Sequence, residues 1–213
     1  MEKTIVCFGD SNTHGYKSED GGRFTREERW PCLLEKYLGD GYYVTEEGLS
    51  GRTTVFEDPL FEGLNGMSSI FSCLMSHEPV DLLIIMLGTN DTKDRFHVNA
   101  ENIGKGLERL VNKAISVKDA WRNRPNILII TPAPIGSGYE KTAVAGEMGT
   151  DCIEKSENLH IWFKDVAGRL GCHYLNAGEI DGISMHPNDY MHLDKDSHER
   201  LARRLTDIIP EIV

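Results

Sequence analysis

Four short stretches of this chain carry groups that could do chemistry. Gly9-Asp-Ser-Asn12 offers the hydroxyl of Ser11. Gly48-Leu-Ser-Gly51 offers backbone N–H groups, and at Gly51 no side chain blocks the approach of an anion. Gly88-Thr-Asn-Asp91 ends in a carboxamide and a carboxylate. Asp189-Tyr-Met-His192 sets a carboxylate three residues before an imidazole. In a turn, that spacing lets Asp189 accept from Nδ1 of His192 and leaves Nε2 free to act as a base. Each signal is weak alone. A lone serine suits a turn or a helix cap. Asn90 could satisfy loop backbone or donate to a developing oxyanion. Asp91 suits a local cap better than a catalytic acid, and Asp-x-x-His is common by chance. Together the four supply a nucleophile, a base, a group that orients the base and several oxyanion donors, the set that acyl transfer requires.

These stretches must be positioned by their neighbours. Leu82-Leu-Ile-Ile-Met-Leu87 is an unbroken apolar run that leads straight into Gly88-Thr-Asn-Asp91. Such a run reads as a strand covered on both faces, as in the middle of a parallel sheet. Thr4–Phe8 reads the same way and leads into Gly9-Asp-Ser11. Open α/β sheets bind ligands beyond the carboxyl ends of their strands, so both strands deliver polar residues to one rim. Further strands are expected at 42–47, 126–131 and 172–175. Helices are expected at 27–38, 66–77, 99–118 and about 150–169, with Pro31 tolerated only near a first turn. A last helix starts near Asp194 or Asp196, and because Asp196 with Glu199 fits a capping box the cap is expected at Asp196. Residues 17–26 read as a surface excursion, 55–65 as irregular, and 135–150 and 176–193 as loops. Alternating strands and helices define one α/β domain over 1–213, a three-layer α/β/α sandwich on a five-stranded parallel sheet.

The totals narrow the function. A chain of 213 residues with 39% hydrophobic and 27% charged content fits one globular domain. A net charge of −11 argues against nucleic acid as a partner. No run is long enough for a membrane span, and the chain enters a strand after three residues without a signal-peptide pattern. The five cysteines are odd in number, scattered and without Cys-x-x-Cys spacing, so reduced thiols and a cytoplasmic location are expected. Cys7 and Cys172 lie in apolar runs and read as packing residues.

The blocks Phe8-Gly-Asp-Ser-Asn-Thr-His-Gly15, Glu47-Gly-Leu-Ser-Gly-Arg-Thr-Thr54, Gly88-Thr-Asn-Asp91 and Asp189-Tyr-Met-His-Leu-Asp194, in this order and spanning nearly the whole chain, resemble the SGNH (GDSL-like) hydrolase family. Glu46–Thr54, Leu64-Asn-Gly66 and Ile84–Lys93 resemble its bacterial arylesterase and acyltransferase branch. The resemblance implies a flavodoxin-like SGNH-hydrolase fold and a serine esterase acting on small acetyl or aryl esters, with acyl transfer to alcohols as a further activity. By position, Ser11 is implied as nucleophile and His192 as base, with Asp189 orienting it. The Ser11 N–H, the Gly51 N–H and the Asn90 amide are implied as the oxyanion hole. Asp10, Asn12, His14 and Tyr16 are expected to contact substrate. No metal or organic cofactor is expected, and the only partner expected is a small-molecule ester. Oligomers occur in the branch, and 55–65 and 132–150 are the expected contact surfaces. The chain departs from the pattern twice. Asn12 stands where leucine is frequent, and Asp181-Gly-Ile is followed by Ser184, with His186 only later, where the branch often writes Asp-Gly-x-His. The Asp189/His192 frame fits better, because Leu193-Asp194 and a helix start follow it directly.

Three other readings use the same residues. An acetylated carbohydrate would suit the same serine site. His186, Asp189, His192, Asp194, Asp196 and His198 are crowded enough to suggest a metal hydrolase. The Ser11–Thr13 loop after a first strand resembles the phosphate cradle of a flavodoxin-like FMN binder, which would leave Asn90 and Asp189/His192 without a role.

Overall fold

The computed structural model describes residues 2–213. Five strands form one parallel sheet. They are β1 (Lys3–Gly9), β4 (Tyr42–Gly48), β5 (Leu82–Met86), β6 (Ile127–Thr131) and β7 (His173–Asn176), in the order β4-β1-β5-β6-β7. A small hairpin, β2 (Tyr16–Lys17) with β3 (Gly22–Arg23), folds the segment expected to be a surface excursion. The helices are α1 (Ser11–His14), α2 (Trp30–Leu38), α3 (Gly66–Ser76), α4 (Ala100–Ser116), α5 (Ala145–Met148), α6 (Cys152–Leu170) and α7 (Lys195–Ile212).

The strands alternate in the face they present, and both faces are apolar. Val6, Phe8, Leu83, Ile85, Ile127 and Ile129 join the core under α3, α4 and α6. Ile5, Cys7, Leu82, Ile84, Met86, Leu128 and Ile130 join the core under α2 and α7. All five residues of β5 are buried. Each such aliphatic side chain contributes about 1.5–3 kcal/mol on leaving water. The three-layer sandwich is therefore what this double-faced pattern demands. Pro31 sits in the first turn of α2, where a missing N–H is harmless.

Three expectations need correction. The last helix is capped by Asp194, not Asp196: Oδ1 of Asp194 accepts from Ser197 N–H at 2.8 Å. Its other oxygen accepts from the Ser184 hydroxyl at 2.6 Å, and this contact with the 176–193 loop selects Asp194 over an equally good local motif. The 135–150 segment is not all loop. It holds α5 and a single turn at Tyr139–Lys141, packed in a third apolar cluster of Ile135, Tyr139, Met148, Cys152 and Met191. Asp91 is not a local cap. Its Oδ1 accepts from the Thr54 N–H at 2.9 Å and from the Thr54 hydroxyl, which fastens the loop after β5 to the loop after β4.

The chain leaves β1 toward β4 on one side and leaves β5 toward β6 on the other. The crevice between β1 and β5 is therefore the switch point of the sheet, where a ligand site is expected. Ser11 follows β1 and Asn90 follows β5, one on each side of it.

Candidate active site

Ser11 is the first residue of α1, and its position is set by a tight turn out of β1. Asp10 caps that turn by accepting from Asn12 N–H at 2.9 Å. The turn needs glycine at 9: a Cβ there would lie 2.0 Å from Oγ1 of Thr13 and 2.8 Å from the carbonyl oxygen of Met86. The constraint on Gly9 is thus packing inside the protein rather than room for a ligand.

Opposite Ser11, the turn before α7 presents His192. Oδ1 of Asp189 accepts from the N–H groups of Met191 and His192, both at 3.0 Å, and Oδ2 lies 2.7 Å from Nδ1 of His192. With Nδ1–H donated to Asp189, Nε2 is left to accept from the Ser11 hydroxyl, at 2.9 Å. Burial would raise the Asp189 pKa, but the bonds from the His192 ring and the two N–H groups outweigh it and hold the carboxyl below its usual range. Asp189 therefore stays ionised beside the imidazole. The Tyr16 ring packs on the other side of His192, with centroids 4.5 Å apart. Ser11 (6% exposed) and His192 (5%) reach a cleft of about 410 Å³ that is also lined by Tyr16, Ser50, Gly51, Phe61, Glu62, Leu64, Asn90, Lys93, Glu147 and Met191.

Ser11, Gly51 and Asn90, the expected oxyanion donors, all line this cleft. The Ser11 N–H begins a helix and has no acceptor within it. Gly51 holds φ +87°, a left-handed conformation that favours glycine, and a Cβ there would meet Leu64 at 2.9 Å. The Asn90 carboxamide donates to the Arg52 carbonyl at 3.2 Å and has Oδ2 of Asp10 at 3.5 Å. Arg52, to which the sequence reading gave no role, underpins this loop. Its guanidinium lies over the Phe8 ring, and Nη1 donates to the carbonyls of Gly9 (2.8 Å) and Glu47, bracing the ends of β1 and β4. Burial pushes Asp10 and Asp91, both beneath the rim, up to about 6.

Of the residues expected to contact substrate, only Tyr16 lines the cleft. Asp10 is spent on the cap of α1. Asn12 is buried and its carboxamide holds the His192 turn. His14 closes α1 and lies outside the lining residues. Lys93 and Glu147, which sequence spacing did not single out, form one wall as an ion pair at 2.9 Å. Lys93 ends the stretch Ile84–Lys93, but Glu147 reaches the cleft only through the fold of the 135–150 segment.

The crowded acids and histidines near the C-terminus do not converge on one point. His186 Nε2 points to Glu19 at 3.5 Å, Asp194 caps α7, and His198 is buried with Nδ1 accepting from Trp30 N–H at 3.3 Å. Burial lowers the His198 pKa to about 3 and keeps the ring neutral. A phosphate cradle is disfavoured as well, because the buried Asp10 carboxyl closes the Ser11 turn from within.

The chain belongs to the GDSL-like lipase/acylhydrolase family, whose model matches residues 7–202. It is similar over its full length to the solved structure of Est24, a carbohydrate acetylesterase from Sinorhizobium meliloti, with 33% identity, all of both chains covered and a TM-score of 0.89. The aryl esterase of M. smegmatis is similar at 32% identity and a TM-score of 0.89, over 99% of this chain and all of that one. A protein described as a putative arylesterase from Agrobacterium tumefaciens str. C58 is 36% identical with a TM-score of 0.88, over 99% of this chain and all of that one. An acetylxylan esterase from Xylanibacter ruminicola is 27% identical over 143 residues, which are 61% of this chain and 28% of that protein. The match thus takes in less than a third of that curated relative's length.

Proposed function

We propose that this protein is a serine esterase that cleaves small acyl esters through an acyl-enzyme on Ser11. The observation that carries the proposal is the unbroken chain from Ser11 Oγ to His192 Nε2 (2.9 Å) and from His192 Nδ1 to Asp189 (2.7 Å), opening on a cleft. His192 takes the hydroxyl proton as Oγ adds to the ester carbonyl. The oxyanion accepts from the Ser11 and Gly51 N–H groups and the Asn90 amide, each such donor being worth about 3 kcal/mol. His192 then returns the proton to the leaving alcohol, and water attacks the acyl-serine by the same route. Asp189 keeps the imidazole in one tautomer throughout.

The apolar lining of Tyr16, Phe61, Leu64 and Met191 favours alcohols as acceptors alongside water, so acyl transfer belongs to the same proposal. A second reading, esters of acetylated carbohydrate, is favoured by the charged wall of Glu62, Lys93 and Glu147, which suits hydroxyl-rich leaving groups. A reducing, cytoplasmic setting is part of the same proposal, supported by the odd number and scatter of the five cysteines.

The test is an ester panel varying acyl length and leaving group, acetylated sugars and a primary alcohol acceptor included. Acetyl esters should turn over fastest. A serine-directed phosphonate should add once, and Ser11→Ala should lose both labelling and turnover. Labelling that persists at Ser50 or Ser197 in that variant removes the proposal. Hydrolysis without transfer product at every alcohol concentration removes its acyl-transfer half.

A further inference from the structure

Away from the cleft, three side chains of unlike chemistry converge. Glu47 lies near the end of β4, Cys73 on α3, and His77 on the C-terminal cap of that helix. One ligand atom of each lies within 4.8 Å of the others, and His77 Nε2 is 2.7 Å from Oε1 of Glu47. No other group of three histidine, cysteine or carboxylate side chains comes together this way among the described residues. None of the three lines the cleft, and the ester chemistry uses none of them.

Cys73 and His77 are four apart, so the helix places them one above the other on one face. A thiolate, an imidazole and a carboxylate are a donor set for a soft or borderline divalent cation. Tetrahedral Zn²⁺ with bonds of about 2.0–2.3 Å spaces its ligands about 3.5 Å apart, between the 2.7 Å of the His77–Glu47 contact and the 4.8 Å limit of the set. Cys73 is buried, while the side chains of His77 (22%) and Glu47 (32%) keep some exposure, which leaves an entry path and room for water as a fourth ligand. One charge opposes a cation here, the Arg52 guanidinium, which acts on both Cys73 and Glu47. Binding releases the thiol proton to solvent, and one thiolate plus one carboxylate then cancel the two charges of the ion. Arg52 would face a neutral unit.

We propose that Glu47, Cys73 and His77 form a binding site for a thiophilic divalent cation of the Zn²⁺ class, separate from the ester site. The ion would pin the end of β4 to α3. Glu47 directly precedes Gly48, and its carbonyl accepts from Arg52, so the ion would also stiffen the root of the loop that carries Gly51.

The experiment loads the whole, reduced, chelator-treated protein with Co²⁺ as a spectroscopic probe and titrates Zn²⁺ against a chromophoric chelator. One Co²⁺ per chain should give a thiolate-to-cobalt charge-transfer band. Cys73→Ser should abolish the band, while Cys172→Ser should keep it. Zn²⁺ affinity should fall at least tenfold in His77→Gln and Glu47→Gln, two partly exposed positions that report even if the Cys73 variant fails to fold. Lack of the band in the wild type, its survival in Cys73→Ser, or binding only at millimolar ion would each overturn the site. Ester turnover does not enter these readouts, so the result stands apart from the role of Ser11.

Discussion

The Asn12 carboxamide holds the backbone on both sides of His192. Its Nδ2 donates to the Met191 carbonyl at 3.2 Å, and its Oδ1 accepts from Leu193 N–H at 2.8 Å. The residue after the serine thus sets the height of His192, the proposed base. Asn12→Ala should lower kcat by about 100-fold with little change in KM, because a base displaced by about an ångström loses that much. It should also lower stability by about 1–3 kcal/mol through the buried groups it leaves unpaired. Steady-state kinetics with thermal unfolding checks this. A variant with unchanged kcat would show that Asp189 alone fixes the imidazole.

The two histidine frames predict opposite outcomes. His192 reaches Ser11, whereas His186 faces Glu19 and accepts from Asn188 N–H through Nδ1. His192→Ala should reduce kcat on the order of 10⁴-fold or more. His186→Ala should keep most of the activity. Asp189→Asn should lose much of the rate through a mis-set tautomer, with the circular dichroism spectrum unchanged. An inactive His186→Ala beside an active His192→Ala would reverse the assignment.

In the resting site the Asn90 amide is held by the Arg52 carbonyl, and in the proposed mechanism it donates to the oxyanion as charge develops there. Asn90→Ala should therefore lower kcat by about 100-fold or more, with a smaller effect on KM. An effect confined to KM would make Asn90 a substrate-holding residue instead.

Asp91 carries a pH signature in stability. Burial raises its pKa from 3.8 to about 6 in the folded protein. The unfolded chain gives up this proton first, so the contribution of Asp91 to stability is fully present below about pH 3.8, is lost as pH rises through about 6, and is level above it. The shift corresponds to about 3 kcal/mol. An asparagine at 91 keeps an oxygen for the Thr54 N–H and hydroxyl and carries no buried charge. Asp91→Asn should raise the thermal midpoint relative to wild type more at pH 8 than at pH 4. An equal difference at both would mean that Asp91 does not titrate in this window.

The sequence alone determined the sheet, and it singled out Ser11, Asp189 and His192, which the structure brings within hydrogen-bond reach of one another. An apolar run such as Leu82–Leu87 has no partner for water on either face, so it belongs in the middle of a covered sheet. Asp189 and His192 are close enough in sequence for a single turn to join them. The last helix was legible too, but not its cap: the capping-box rule favours Asp196 with Glu199, whereas the contact of Asp194 with Ser184 puts the cap at Asp194. What the sequence could not determine lies between residues far apart along the chain. Asn12 grips residues some 180 positions away, Asp91 ties down Thr54, and Glu147 is brought to Lys93. Propensity and spacing act over a turn or two, whereas a buried carboxamide or carboxylate takes whichever partner packing delivers. Only the tertiary structure could turn Asn12 from a substrate contact into the support of His192.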